Sequence, residues 1–579
     1  MLGVTSKLAV RSADGRRVGG VPRLAALFVV AAAAWAMVAL VVAPLVLPVP
    51  ADGSLLSRVL VALRGTVRDG VLILLGASVV YLALRALRPS RIGEWMEPAT
   101  AESLGAIRIV VAAILLGSTL WEDLPSSAAL PRGMLGRAMW NVELLLALPI
   151  GFDSFLASRE ALAAYQVLTA LLLALAMVGA WTRFTVPAGA LAYLLMASIF
   201  RSYSWGYHTG VVPLYALTVL SFTPCGDALS LDRWRRARRG ERLASTREPQ
   251  LRYGVGRYLV WMAIAIPYTL AGLSKLRNTG MSWWHGEHMK QMLVGTIVEP
   301  MHFDFQLTFS LLRGPDWIFS LLGLSALVAE VFFALVLVSR LARLVLPALT
   351  AGMHVGILLT QNILFPDLVV IQAVFYDWRA IADRVVAWVA RRSPGLSAAR
   401  APAPRPIPVD PQARRQAVVT SAFLATAFLV WATRTERFPL TAMQMFSRPS
   451  ALAPVEYVRP LVEYEDGTRE AARFERWIGA VADSRYRWLI RDWDRHPERI
   501  ELLREFLDAV AREANASLPP GRRIRRFILE RRRWDFRAEP ASSERGEVDR
   551  VIVHDPAGAA SSRARAGDAA GGPRAAGGA

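Results

Sequence analysis

One cysteine in 579 residues, Cys225, excludes an internal disulfide framework and any cysteine-rich metal centre. It falls at the expected inner end of an apolar segment, where it serves as a small apolar residue. Acidic residues are also in the minority, 47 against 67 Lys and Arg, for a net charge of +20. In a soluble protein that excess would point to nucleic acid. Here the arginines stand beside apolar runs, so membrane topology and anionic lipid headgroups account for them, and no nucleic-acid partner is expected. Missing too are a Walker A loop, a Rossmann glycine fingerprint behind a strand, HExxH and GxSxG, which argues against soluble nucleotide chemistry.

What the chain has in quantity is apolar sequence, 54% of residues, with a mean hydropathy of +0.34. Runs long enough to cross a hydrocarbon core occur at roughly 22–47, 70–87, 104–121, 161–181, 185–200, 208–225, 256–275, 316–339, 343–363, 367–388 and 416–433. The first is too long for a cleavable signal and reads as an anchor. Taken alternately, these runs put nearly every dense basic loop on one side, including 233–252 and 391–415. The expectation is a mainly α, polytopic transmembrane bundle of about eleven spans in the plasma (inner) membrane, with a cytoplasmic N-terminus. Residues 1–21 form the inner N-terminal segment, and 22–97 hold two N-terminal spans. The main membrane domain covers 98–390, followed by a Pro/Ala/Arg-rich linker at 391–415 and the last span at 416–434.

Within the outer loop 122–160, the stretch WNVELLLALPIGFDSFL is apolar but short, an interfacial or re-entrant segment. After the last span, 435–536 read as a small extracytoplasmic α+β domain. A hairpin turns at Asp466-Gly467, amphipathic helices follow at about 473–488 and 497–515, and a strand begins near Arg523. The Ala/Gly/Arg-rich tail 537–579 reads as disordered.

Ionisable residues inside apolar runs mark function or pairing. Lys275 closes the run 256–275 after Ala271, Gly272 and Ser274, small residues that allow close approach. It is either a snorkelling anchor or a desolvated amine acting as a base. His208 opens its run beside Trp205 and Tyr207. It is either a belt residue or, at the depth of Lys275, that lysine's hydrogen-bonding or proton-shuttling partner. Glu330 lies ten residues before Arg340, and His354 eleven after Arg343. At ~1.5 Å rise per residue both sit about 15 Å from the basic side, which suggests that they pair, structurally or for proton transfer. Arg108 either snorkels inward or supplies a counter-charge to Glu330. His285, His288 and His302 fix no third ligand by spacing, so no metal site is assigned.

Together these residues resemble the HTTM domain, the membrane region shared with vitamin K-dependent gamma-carboxylase. The resemblance spans about residues 98–385. It rests on Arg108 in IRIVVAAILL, on Gly179-Ala-Trp-Thr-Arg183, and on His208 ahead of a run closing CGDALSLD. AGLSKLRNTGMSWWHGEHM is similar to the carboxylase's Ala-Gly-x-x-Lys-Leu followed by Trp and Gly, here Trp284 and Gly286. The resemblance implies that Lys275 is the base that deprotonates a reduced, vitamin K-like quinone, with His208 in support. The implied class is a carboxylase-like lyase or a quinol-dependent oxidoreductase. Ser274 stands where the carboxylase has a first lysine, and its large lumenal domain has no counterpart, which puts a peptide glutamate substrate in doubt. The competing expectation is a non-enzymatic factor for peptide maturation or export, or a scaffold that binds a peptide or protein partner through the outer domain.

Overall fold

Long, mainly apolar stretches form the longest helices, and three of these start at a Thr or Ser whose side chain accepts from the first turn. The computed structural model describes residues 97–136, 139–203, 209–298, 303–378, 381, 383, 426–427, 429–447, 454–479, 485–540 and 545–556. Helix α1 (Ala101–Trp121) starts where the Thr100 hydroxyl accepts from the Ser103 amide at 3.1 Å. Short helices α2 (Trp140–Ala147) and α3 (Phe152–Ala157) occupy the apolar stretch WNVELLLALPIGFDSFL. Ser158 then caps α4 (Arg159–Val178), which ends at left-handed Gly179. Helix α5 (Thr182–Ser202) follows, then α6 (Val211–Leu220), α7 (Leu231–Arg238) and α8 (Leu251–Thr279). Beyond them come α9 (Gly286–Ile297), α10 (Leu307–Leu311), α11 (Asp316–Val331), α12 (Arg340–Gln361) and α13 (Pro366–Val370).

Among the described residues five helical segments are long and apolar enough to cross a membrane: α1, α4, α5, α8 with its extension to Trp284, and α12. Helix α8 is the hub, packing against α1, α6 and α11. Outward-facing leucines and valines remain exposed, among them Val167 and Leu171 on α4 and Leu341 and Leu344 on α12. Hydrocarbon rather than water suits such surfaces.

Three expected spans are shorter pieces. The run 208–225 is helical only over Val211–Leu220, with Pro224 a few residues on unable to donate to a continuing helix. The run 316–339 breaks after Val331 into a 3-10 turn at Phe333–Leu337. In the run 367–388 the described residues start as α13 and a 3-10 turn at Ile371–Phe375, where the Gln372 amide donates to the Leu368 carbonyl at 3.0 Å, and an extended break at Tyr376–Asp377 follows. The runs 22–47 and 70–87 and the linker 391–415 lie outside the described residues, as does most of 416–433.

After a helical stretch at 429–432, strands β1 (Glu436–Arg437) and β2 (Leu440–Thr441) form a small antiparallel pair. The C-terminal region is a four-stranded antiparallel sheet in the order β4-β3-β5-β6. Its strands are β3 (Val455–Tyr464), β4 (Arg469–Ala471), β5 (Ile524–Trp534) and β6 (Glu547–His554). The β3–β4 hairpin turns at Gly467 (φ 81°), as the Asp-Gly pair predicts, and Asp466 accepts from the Thr468 amide at 2.8 Å. Helices α14 (Glu475–Ile478), α15 (Arg485–Asp494) and α16 (Ile500–Ser517) supply the aromatic core, with Phe506 against Phe474, Tyr486 and Trp493.

The expected disordered tail is corrected in one part: β6 pairs with β5 over Phe527↔His554 to Arg533↔Glu547. Locally, EVDRVIVH carries enough β-branched residues to complete a sheet despite the tail's composition. One end of the sheet rests on the helical part, where Val455, Tyr457 and Trp534 join Trp283, Met289 and Leu293 in one buried cluster. Arg537 fastens it to α9 by bonds to Glu287 at 3.0 Å and Gln291 at 2.8 Å.

Candidate functional site

Small residues near the end of α8 decide how closely its neighbours approach. A Cβ on Gly272 would lie 2.7 Å from the Val331 amide nitrogen and 3.0 Å from Glu330 Cβ, so α11 can press on α8 only at a glycine. One turn later that approach brings Lys275 Nζ to both Glu330 carboxylate oxygens, at 2.9 and 2.6 Å. The two residues are only 4% and 8% exposed, so the amine is held by a buried carboxylate and does not snorkel. Gly272→Val is expected to force the helices apart at a cost of about 1–3 kcal/mol, read as earlier thermal unfolding in detergent. Unchanged unfolding would show that the contact is not tight.

The pair is closed from outside. Trp283, 2% exposed, has its ring 5.3 Å from Lys275 Nζ and donates its indole N–H to the Phe446 carbonyl at 2.7 Å. Trp431 donates to Ser274 Oγ at 2.8 Å, and that hydroxyl donates to the Ala442 carbonyl at 3.0 Å. Arg277 reaches the Trp431 and Ala432 carbonyls at 3.0 and 3.2 Å, and Asn278 donates to Ser447 Oγ at 2.9 Å. Residues 431–447 thus form a strap across the end of α8. Its irregular backbone, with Met443 and Phe446 at φ 53° and 50°, has no periodic sequence signal.

The expected pairing of Glu330 with His354 is corrected, because Lys275 takes both carboxylate oxygens. His354 Nε2 lies 2.9 Å from the Tyr268 hydroxyl. That hydroxyl also receives the Gln372 amide at 2.9 Å, so the phenol links His354 on α12 to the Ile371–Phe375 turn. Gln372 within the apolar run LVVIQAVF was a legible signal of the same kind as Glu330. Arg108 is corrected as well. Fully buried, it donates to the carbonyls of Cys225 at 2.6 Å, Leu229 at 2.5 Å and Met177 at 3.3 Å, and it has no bond to Glu330.

His208 lies outside the described residues, so its expected proximity to Lys275 does too. Nearby, the Gly210 amide donates to Asp367 at 2.7 Å, pinning the start of α6 to α13. Trp284 is half-buried against His285, with ring centroids 5.3 Å apart. Gly286 is required where α9 meets α11, since a Cβ there would sit 2.5 Å from the Asp316 carbonyl. Burial and then the neighbouring His285 hold the His288 imidazole below its usual pKa. Among the described residues no group of three or more His, Cys, Asp or Glu is arranged to hold a metal ion.

A cleft of about 60 Å³ opens between α6, α8, the helical residues 426–427 and 429–430 and the strap, lined by Tyr215, Ile266, Leu270, Val430 and Met443 among others. Leu270 precedes Ser274 by one turn, so the cleft follows the Ser274 side of α8. Its lining is almost wholly apolar and suits a hydrocarbon chain.

Fold and site define a helical protein with membrane-length apolar helices, a closed Lys–Glu pair at one helix end and a small α+β domain resting beside it. No family model, curated protein or solved structure matches the chain.

Proposed function

We propose that the chain is a multi-pass inner-membrane protein of the HTTM, carboxylase-like type. Lys275 acts in it as a base toward a lipid-soluble acid such as a quinol at the extracytoplasmic face. The observation carrying this reading is the bidentate contact of the Lys275 amine with the buried Glu330 carboxylate. In a low-dielectric site, passing one proton from Nζ to the carboxylate turns an ion pair into a neutral amine and a neutral acid. Glu330 would thereby free the amine to accept a proton, and Trp283 and the strap would exclude water. A bound quinol supplies the acidic hydroxyl, and its tail would lie against Ile266, Leu270 and Met443. His208 is the proposed supporting group. About eleven spans, a cytoplasmic basic end and an extracytoplasmic C-terminal domain complete the proposed topology.

The test compares wild type with Lys275→Ala and Glu330→Gln in detergent or nanodiscs. Quinol oxidation and incorporation of labelled CO2 into peptide or lipid are the readouts. Loss of turnover by ~10²-fold or more in both variants, with folding retained, is expected from removal of a general base or its proton partner. Equal activity in all three proteins would remove Lys275 from the chemistry.

The second reading, a platform for a peptide, is favoured by β6. It is the outer strand of the sheet among the described residues, and Val551 and Val553 are 50% and 53% exposed. Such an edge can add an extended peptide strand. Capture of a co-expressed secreted peptide by the wild type, lost with Val551→Lys, would support it.

A further inference from the structure

The end of the bundle opposite Lys275 carries a second feature, independent of the lysine's chemistry. There α4 ends and α5 begins, and α7 lies in the connection from α6 to α8. Asp232 ties α7 to this corner by accepting from the Trp181 amide at 2.7 Å and the Thr182 amide at 2.7 Å. Helix α7 buries none of its side chains. Arg233 and Arg236 are engaged, the first by the Asp227 and Ala244 carbonyls and the second by Glu241. Arg235 instead lies 4.5 Å over the Trp181 ring, and Arg238 4.2 Å over the Trp234 ring. Neither has a carboxylate partner among the described residues, nor have the exposed Arg183, Arg239 and Arg242.

The two indoles are 59% and 50% exposed, and Phe184 beside them is 69% exposed. Unpaired guanidiniums would suit any polyanion. Exposed aromatic rings at the ends of membrane-length helices suit only one that brings hydrocarbon with it. We propose that α7 and the Trp181 corner form a binding surface for anionic phospholipid. The guanidiniums meet the headgroup phosphates, and Trp181, Trp234 and Phe184 lie at the glycerol and upper acyl level.

The experiment uses the full chain in nanodiscs of phosphatidylcholine with or without phosphatidylglycerol, with native mass spectrometry counting the lipids retained. Wild type should be enriched in phosphatidylglycerol, and each of Arg235→Ala, Arg238→Ala and Arg239→Ala should lower that enrichment by up to about fivefold. The matching Arg→Lys variants should keep most of the enrichment and guard against misfolding as its cause. Trp181→Ala with Trp234→Ala should lower retention of both lipids. Lys275→Ala should leave the enrichment untouched, so this result and the catalytic one can fail separately. Equal retention of the two lipids by wild type would overturn the proposal. So would enrichment that survives in the alanine variants, or displacement of the lipid by inorganic phosphate or RNA.

Discussion

Glu330→Ala is expected to destabilise the detergent-solubilised protein by ~3–5 kcal/mol, because it leaves the Lys275 ammonium buried with no counter-charge. Both groups are almost fully enclosed, so screening by water does little to soften the loss. The double variant Lys275→Met/Glu330→Leu should unfold close to wild type or somewhat later, since a well-packed apolar pair avoids the desolvation of two charges. A double-mutant cycle by thermal unfolding, followed by circular dichroism, measures the coupling. If Glu330→Ala alone unfolds like wild type, the amine escapes to water or headgroups and the pair is not the closed centre described above. If the double variant is stable yet inactive, the pair is kept for chemistry and costs the fold stability.

Much of this arrangement was legible in the sequence. Gly272 and Ser274 announced a close helix contact, which is present, whereas Lys275 was open between a snorkelling anchor and a desolvated amine, and its burial against Glu330 selects the second. The partner was not legible. Counting residues from flanking arginines gives depth along a helix but not which neighbour a side chain faces, so it matches Glu330 with His354 by depth alone. The break after Val331 and the glycine at 272 turned Glu330 toward α8 instead. The strap 431–447 was invisible for a different reason. It is held by backbone carbonyls accepting from Arg277, Trp283 and Ser274, and carbonyls carry no sequence signal. In the C-terminal region the Asp-Gly turn and the two alternating strands were plain, whereas β6 was hidden by the alanines and glycines around it.

Arg108 presents the same lesson at the opposite end, with a second large effect. Arg108→Leu should cost about 3 kcal/mol or more, because the Cys225, Leu229 and Met177 carbonyls lose their donor inside the bundle, at ~1–3 kcal/mol for each left unsatisfied. Arg108→Lys should recover only part of this, since one ammonium cannot reproduce the planar fork that spans carbonyls from two separate segments. The connection from α6 to α7 would loosen first, so trypsin should cut the basic stretch 233–252 faster in Arg108→Leu than in wild type. The Lys275–Glu330 pair sits at the other end of α8. Any Lys275-dependent turnover, normalised to folded protein, should therefore be unchanged in this variant. A proportional fall in turnover would mean that the two ends of α8 are coupled, and Arg108 would then belong to the reactive centre as well as to the fold.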